Sequence, residues 1–533
     1  MRSGCKVTGG LTLLIRPIKS FWMNAICVYK KKQDLYILVL LLSVGIFIRL
    51  FGYAARDIWF DEAITLSKLI DGSFWQALNP PLYFILLSGW MKLFGLSVAA
   101  MRALSVTFSV ATILVVYMIG KKCFNKKIGL LAAAITAVSP FQIWYAHEVR
   151  AYALLGFICA CALLSVVLYA KHNSIKHAFF LMICSIAGLY THPYYVLFFV
   201  SQLLTLLFVY KAHRLAVVSI GILSFISWLP SVHSSLQRFN NVCQGYWIPR
   251  LDFKSIISPF INGYMGYTYT LLMYVFAIGV LLFLLSTVSV IAFKKMASVT
   301  NNIKALIMFC TVPIVLNIAI SLVCAPIYID RGFQIIMPAY YIILAAALFY
   351  FPRNFRKYMV MIFFALPCIG LFYYNCNYMP LSSAYHRGVY LKKPVGVIAE
   401  YILDRKQQGD VVMLVSDSVA FPFLWYYAGP QGLKRYWQDG IPYFAVKDCY
   451  ACYGDAEISA SHCLPRMQTP FDIPLHKIKE LPFKRMWAVA CNWQRSGVLD
   501  SDALNKVEYL KMHYCLIEET EIHGARVYCF ERI

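Results

Sequence analysis

The sequence is dominated by long apolar segments separated by short polar ones. About eleven such segments lie between residues 35 and 376, and most are near the roughly 20 residues that a helix needs to cross a bilayer. They cover residues 35–54, 97–119, 128–146, 150–170, 178–191, 193–210, 215–232, 269–293, 305–325, 332–351 and 358–376. Only 14% of the residues are charged and 60% are hydrophobic, so lipid is the solvent for much of the chain. These features predict an all-α polytopic membrane domain.

The distribution of Lys and Arg predicts which loops are cytoplasmic. These residues form short runs between the apolar segments, as is typical of cytoplasmic loops. A twelfth apolar stretch, Pro80 to Gly95, is too short to cross. If it did cross, Lys121, Lys122 and every later basic loop would lie outside, so we place it as a juxtamembrane helix on the outer face. The net charge of +24 is then explained by basic cytoplasmic loops, and no nucleic-acid partner is expected.

The two ends of the chain differ from the apolar middle. Residues 1–34 are basic and lack a signal-peptide cleavage site, which predicts a cytoplasmic N-terminus, with Met23 as an alternative start. Residues 35–376 form the predicted membrane domain. From residue 377 to 533 the apolar bands end, and shorter helix-like and strand-like patterns predict a small soluble α/β domain outside the membrane.

Cysteines in this C-terminal region allow two interpretations. Cys449, Cys452 and Cys463 with His462 could form a zinc site, but no second CxxC completes the set. Disulfides or buried free thiols are therefore favoured over metal, since an oxidising compartment permits disulfides.

An acidic cluster follows the first apolar segment, in RLFGYAARDIWFDEAITLSKLIDG. It contains Asp57, Asp61 and Glu62, on the predicted outer side. Adjacent Asp61 and Glu62 would point about 100° apart on a helix, so they are not expected to perform one task together. One could act as a base and the other as a scaffold or ligand. The alternative is an ordinary solvated acidic loop.

Three further polar clusters fall on the same predicted side. The segment AHEVRAY supplies His147, Glu148 and Arg150, with Tyr152 one helical turn from Glu148. His192 lies in the hairpin segment THPYY, where it could equally be an ordinary interfacial residue.

The last cluster is YIDRGFQ, in which Asp330 and Arg331 precede the tenth apolar segment. An ion pair or a snorkelling arginine would explain these residues individually. Together, the four clusters supply carboxylates that can accept a proton and Arg and His side chains that can hold an anion. Arg binds phosphate oxygens in a bidentate manner, so a phosphate-bearing substrate suits Arg331 and Arg150. The chain has no GxxxxGK[ST] nucleotide loop.

Several motifs resemble one enzyme superfamily. The segments WFDEAITLSKLI, NPPLYFILLSGWMKLFGLSVAAMRALSV, KIGLLAAAITAVSPFQIWYAHEVRAYALL and LYTHPYYVLFF are similar to GT-C glycosyltransferases of the protein O-mannosyltransferase and lipid A aminoarabinose transferase type. The similarity runs from about Leu35 to Val200 and returns at DRGFQIIMPAYYIILA.

This resemblance implies a polyprenyl-phosphate sugar donor and inversion at the anomeric carbon. It assigns the catalytic base to Asp61, with Glu62 beside it in the acidic pair. It places Glu148 at the second acidic position and Arg331 at the donor phosphate, where Arg150 or His192 would assist. His147 departs from the Gln that many relatives carry there. Relatives differ in their use of a divalent cation, so metal dependence stays open.

The acceptor and the membrane are less constrained. The acceptor could be a glycolipid such as lipid A, an envelope polysaccharide or a protein. A bacterial inner membrane is preferred over the endoplasmic reticulum. A different class, a transporter or flippase of lipid-linked sugars, is the main alternative, and a non-catalytic assembly subunit is another. Transporters place ionisable groups near the midplane and often contain repeats, whereas here these groups lie at outer segment ends and no repeat is visible.

Overall fold

A computed structural model defines most of the chain. It describes residues 33–70, 72, 80–243, 248, 250–294, 297–380, 392, 394–415, 417–430, 443–446, 472–473, 478–479, 483–490 and 501–533. The cysteine and histidine cluster predicted at residues 449–463 lies outside these ranges, so neither of its two interpretations is tested.

The membrane part is built from helices. They are α1 (Gln33–Leu50), α2 (Phe60–Ile70), α3 (Leu82–Phe94), α4 (Val98–Cys123), α5 (Lys126–Val138), α6 (Pro140–Ala146), α7 (Tyr152–His172), α8 (Ile175–Leu189), α9 (Tyr195–Leu204, continued by the π turn Thr205–Val209), α10 (Arg214–Cys243), α11 (Phe253–Met265), α12 (Leu271–Lys294), α13 (Ala297–Val323), the 3-10 helix Asp330–Ile335, α14 (Met337–Tyr350) and α15 (Arg353–Asn375).

All eleven predicted segments are helical, but they differ in length. Among the described residues six helices are long and apolar enough to cross a membrane, and a seventh crossing results if the bent pair α5 and α6 counts as one. Three of the other four predicted segments contain the shorter apolar helices α8, α9 and α14. In α12 the apolar stretch whose side chains are described is Leu271–Ser286. The stretch placed beside the membrane forms α3, whose 13 residues are short of the roughly 20 needed to cross.

A buried arginine stabilises the bend between α5 and α6. Pro140, at the start of α6, cannot donate a backbone hydrogen bond, and the two helices meet at an angle of 55°. Arg49 donates to the carbonyls of Thr136 and Ala137 at the end of α5, at 2.9 and 2.8 Å. Carbonyls at a helix C-terminus lack helical partners and carry partial negative charge, so they suit a guanidinium. The bend directs α6 towards His147.

The C-terminal part contains a six-stranded mixed sheet with the strand order β3-β2-β1-β4-β6-β5. Its elements are α16 (Val395–Arg405), β1 (Val411–Leu414), α17 (Asp417–Tyr427), β2 (Tyr443–Val446), β3 (Asp472–Ile473), β4 (Arg485–Ala490), α18 (Ser501–His513), β5 (Cys515–Ile522) and β6 (Ala525–Glu531). β1 is parallel to β2 and β4, whereas β6 is antiparallel to β4 and β5. The predicted α/β character is confirmed, while the boundary at residue 377 stays a prediction.

The sheet is covered on both faces. Val412 and Leu414 belong to the large hydrophobic cluster that continues through α16 and α17 into the membrane helices. Met413 points the other way and packs in a separate cluster with Val507 and Leu510 of α18. Alternate residues of β1 therefore face opposite sides of the sheet, and one of these sides packs in the same hydrophobic cluster as the membrane helices.

Candidate active site

The helix α2 divides the acidic pair between two environments. Asp61 and Glu62 occupy its first turn, where carboxylates stabilise the N-terminal end of a helix. The side chain of Asp61 is 20% exposed, whereas that of Glu62 is completely buried. The two side chains therefore lie in different environments, one partly exposed and one buried.

Asp61 is bound by two arginines that are distant in sequence. Its Oδ2 lies 2.9 Å from Nη1 of Arg331 and 3.7 Å from Nη2 of Arg150. Arg150 also donates to the backbone carbonyl of Asp61 and to the hydroxyl of Thr65, at 3.3 and 3.0 Å. Both guanidinium groups are partly exposed, so a carboxylate and two fixed positive charges meet at one accessible point.

Tyr152 and His192 lie against these cations. The guanidinium carbons of Arg150 and Arg331 are 5.8 and 6.0 Å from the centre of the Tyr152 ring, and the ring of His192 is 5.6 Å from it. Burial lowers the pKa of His192, and the positive charges of Arg238, Arg150 and Arg331 lower it further. The imidazole is therefore neutral. Its Nδ1 accepts from the amide of Tyr194, so Nε2 carries the proton and can act as a donor.

Asp330 precedes Arg331 in the 3-10 helix and anchors this segment to α11. Asp330 is buried, and its Oδ2 accepts from the hydroxyl of Ser258 and the amide of Asn262, both on α11. The amide oxygen of Asn262 in turn accepts from Tyr269 at 2.8 Å. The predicted pair of Asp330 and Arg331 therefore separates into an anchoring residue and a residue that faces Asp61.

Glu62 joins several segments of the chain. Its Oε1 accepts from Nε of Arg102 and from the backbone amide of Val149, both at 2.9 Å. Its Oε2 accepts from Arg102 Nη2, Lys392 Nζ and the backbone amide of Trp59, at 2.9, 2.8 and 3.2 Å. Burial by itself raises the pKa of Glu62, but the charges of Arg102 and Lys392 outweigh burial and lower it to about 2.

Arg102 determines the shape of the loop before α2. Besides Glu62, it donates to the carbonyls of Tyr53, Arg56 and Asp57. We call residues 53–62, which comprise this loop and the first three residues of α2, the Asp61 loop. Sequence reasoning missed this arginine, although a charged residue within the apolar segment 97–119 was a usable signal. Lys392, which was also missed, gave no such signal.

His147 and Glu148 are buried beside the Asp61 loop. We call residues 147–151 the His147 loop. His147 lies between the hydroxyl of Tyr374 and the carbonyl of Arg49, each 2.8 Å from a ring nitrogen. Burial lowers its pKa, so the ring is neutral and its Nε2 donates to the carbonyl. His147 is therefore placed as an anchor of the loop.

Glu148 differs from Glu62 in having few partners. Its Oε1 accepts from the indole of Trp144 at 3.1 Å, and its Oε2 has no hydrogen-bond partner in the described part of the chain. Burial raises its pKa to about 7. The predicted second acidic residue therefore lies near the site, but it is held much less firmly than Glu62.

The eight residues predicted for the site thus form one connected region. Asp61, Arg150, Arg331, Tyr152 and His192 surround its accessible part. Glu62, His147 and Glu148 lie buried behind it. Within the described ranges, no group of three or more His, Cys, Asp or Glu side chains is arranged to hold a metal ion.

A family model described as dolichyl-phosphate-mannose-protein mannosyltransferase matches residues 78–232. Among curated proteins, none is significantly similar to the chain. Two solved structures of ArnT from Cupriavidus metallidurans, one apo and one bound to undecaprenyl phosphate, match with TM-scores of 0.57 and 0.55. Both are 12% identical, and the match covers 92% of this chain and 97% of theirs.

The oligosaccharyltransferase of Archaeoglobus fulgidus also matches, with a TM-score of 0.52, 11% identity, and coverage of 94% of this chain and 74% of that one.

The chain has the GT-C glycosyltransferase fold.

The family match over residues 78–232 supports the same superfamily, so the predicted resemblance to GT-C membrane glycosyltransferases is confirmed. The long apolar helices and the structural matches likewise support the prediction that the chain is an integral, multi-pass membrane protein. The family match at 78–232 includes Arg102 and the His147 loop. Asp61 and Arg331 lie outside this match, and for them the comparison rests on the structural similarity of the whole chain.

Proposed function

We propose that this protein transfers a sugar from a polyprenyl-phosphate donor to an acceptor hydroxyl at the extracytoplasmic face of the membrane, with inversion. The observation that carries the proposal is the contact of Asp61 with Arg331 and Arg150. A partly exposed carboxylate beside two guanidinium groups combines a proton acceptor with an anion-binding pair.

In the proposed reaction the acceptor oxygen attacks the anomeric carbon, and its proton passes to Asp61. The bond from the anomeric carbon to the phosphate oxygen breaks, and its electrons remain with the polyprenyl phosphate. Arg331 and Arg150 stabilise the leaving phosphate, because their charges are fixed before the reaction begins. His192 can add a neutral hydrogen bond from Nε2.

The other predicted residues support this centre. Glu62 accepts hydrogen bonds that fix the Asp61 loop. It does not accept the proton from the acceptor, since it is buried and its pKa is already low. His147 and Glu148 shape the adjacent loop. The ArnT structure with undecaprenyl phosphate supports a lipid phosphate as the donor's carrier group. A bacterial inner membrane, a cytoplasmic N-terminus, and a glycolipid, polysaccharide or protein acceptor complete the proposal.

The test is release of polyprenyl phosphate by the purified protein. A panel of polyprenyl-phosphate sugars is offered with envelope extract as acceptor, and the Asp61→Asn variant is measured in parallel. Loss of a general base should lower turnover by roughly 10²- to 10⁴-fold. Donor binding should persist, because both arginines remain. The matched control is Asp404→Asn, the same change at an exposed position of α16.

Each outcome has a definite meaning. Release that depends on acceptor and on Asp61 would support the reaction and identify the sugar. Full turnover by Asp61→Asn would refute the assignment of the base. No release from any donor by a folded wild-type protein would refute the proposed reaction and favour a transporter or an accessory subunit.

A further inference from the structure

Lys392 lies far along the chain from the acidic pair and yet contacts it. It follows the last membrane helix by 17 residues and is separated from Glu62 by 330. Its Nζ donates to Oε2 of Glu62 at 2.8 Å and to the carbonyl of His147 at 2.7 Å, and the residue is only 8% exposed. One ammonium group therefore bridges the Asp61 loop and the His147 loop.

This ammonium group depends on its neighbours for its charge. Burial lowers the pKa of Lys392 to about 8, and the positive charge of Arg102 acts in the same direction. The carboxylates of Glu62 and Glu148 oppose this shift. The side chain is therefore protonated at neutral pH and donates to a carboxylate that has no contact with solvent. A buried lysine with such partners is a specific arrangement, since an unpaired one would be strongly unfavourable.

Residues that follow Lys392 contact the same loop. The backbone amide of Gly396 donates to Oδ2 of Asp57 at 2.6 Å, and the hydroxyl of Tyr426 accepts from the amide of Ile58 at 2.9 Å. The ring of Phe421 meets that of Phe60 edge-on at 6.0 Å. The C-terminal part thus contacts the Asp61 loop through α16 and α17 in addition to Lys392.

We propose that Lys392 is a positioning residue that fixes the Asp61 loop against the His147 loop, so that the C-terminal part completes the active site. This inference rests on the proposed function. Asp61 lies in the Asp61 loop, next to the Glu62 that Lys392 binds. Arg150 extends from the His147 loop, in which Lys392 binds the carbonyl of His147. Loss of the bridge would leave each group intact but change the distance between the base and the phosphate-binding cation.

The experiment compares Lys392→Ala with Lys406→Ala, an exposed lysine on the same part of the chain. A misplacement of about 1 Å can lower turnover by roughly 100-fold, so we expect a loss of that order in kcat for Lys392→Ala. The KM for the donor should change less than threefold, because Arg331 and Arg150 are untouched. Lys406→Ala should behave as wild type.

Chemical rescue separates positioning from general damage. The alanine variant lacks three methylenes and an ammonium group, which propylammonium can replace. We expect added propylammonium to recover kcat at least tenfold, and tetramethylammonium, which has no N–H group, to recover nothing. A kcat within threefold of wild type for Lys392→Ala, or a loss that propylammonium does not reverse, would overturn the inference.

Amide hydrogen exchange in peptides containing Trp59 and Val149 provides a readout that needs no turnover. One outcome is that exchange is faster in Lys392→Ala and is restored by propylammonium, while the wild type releases no polyprenyl phosphate from any donor. This outcome would refute the proposed function and retain the positioning role. Unchanged exchange in a protein whose wild type is active would refute the positioning role and retain the proposed function.

Discussion

Replacing Glu62 with Gln tests whether this buried carboxylate holds the Asp61 loop. The amide is nearly the same size, so packing is preserved while the charge is removed. Its oxygen can still accept from Arg102 Nε and the amide of Val149. Its nitrogen, however, would face three donors that now share Oε2, namely Arg102 Nη2, Lys392 Nζ and the amide of Trp59.

The expected size of the effect follows from these contacts. A buried donor without an acceptor costs about 1–3 kcal/mol, and breaking a buried ion pair by removing one partner costs about 3–5 kcal/mol. Three unsatisfied donors at about 1 kcal/mol each cost about 3 kcal/mol, which is the lower end of the range for a broken buried ion pair. Since about 1.4 kcal/mol corresponds to a factor of ten, a cost of about 3–5 kcal/mol should make local opening of the loop roughly 100- to 4,000-fold more frequent.

Amide hydrogen exchange measures this opening directly, because Trp59 donates its amide hydrogen to Glu62. Exchange of the peptide containing Trp59 should accelerate by that factor in Glu62→Gln. The matched control is Glu148→Gln, the same change at a neighbouring buried acid that accepts only from Trp144 among the contacts described above. It should change Trp59 exchange less than about threefold. Equal exchange in wild type and Glu62→Gln would refute the reasoning.

Three further predictions concern the donor, the pH dependence and the helix packing. Arg331→Ala should weaken binding of polyprenyl phosphate by roughly 10- to 100-fold, since a charge-assisted hydrogen bond contributes about 1.5–3 kcal/mol; an unchanged Kd in a competition assay would contradict this. Burial raises the pKa of Glu148 from about 4.5 to about 7, so the wild type should lose stability relative to Glu148→Gln as pH rises through that range. Thermal unfolding from pH 4 to 8 would reveal a difference in Tm that grows up to about pH 7 and then levels off, and a constant difference would contradict the raised pKa. Gly129→Ala should lower Tm, because its Cβ would lie 2.7 Å from the carbonyl of Tyr117, whereas Gly279→Ala, with nothing within 4 Å, should not; equal Tm values would show that α4 and α5 can separate at little cost.

The elements of the fold could largely be predicted from local sequence. A long apolar segment must form its hydrogen bonds internally when lipid surrounds it, so the eleven segments had to be helical. The shorter helix-like and strand-like patterns after residue 377 likewise predicted the α/β character of the C-terminal part. The lengths of the spans were harder to predict, because a bend such as that between α5 and α6 depends on Pro140 and on Arg49 from another helix.

The residues of the candidate site were also visible in the sequence, because Asp61, Glu148, Arg150 and Arg331 interrupt apolar surroundings. Their chemical roles were not. The 100° separation of Asp61 and Glu62 predicts different environments, but it does not say which carboxylate is buried.

Tertiary structure decided that question through distant partners. Arg102 and Lys392, 40 and 330 residues from Glu62, converge on it and leave Asp61 to face Arg331. The strength of a charge pair depends on the distance between its members and on their burial. Both quantities are set by how the helices and the C-terminal part pack, and the order of residues along the chain does not contain them.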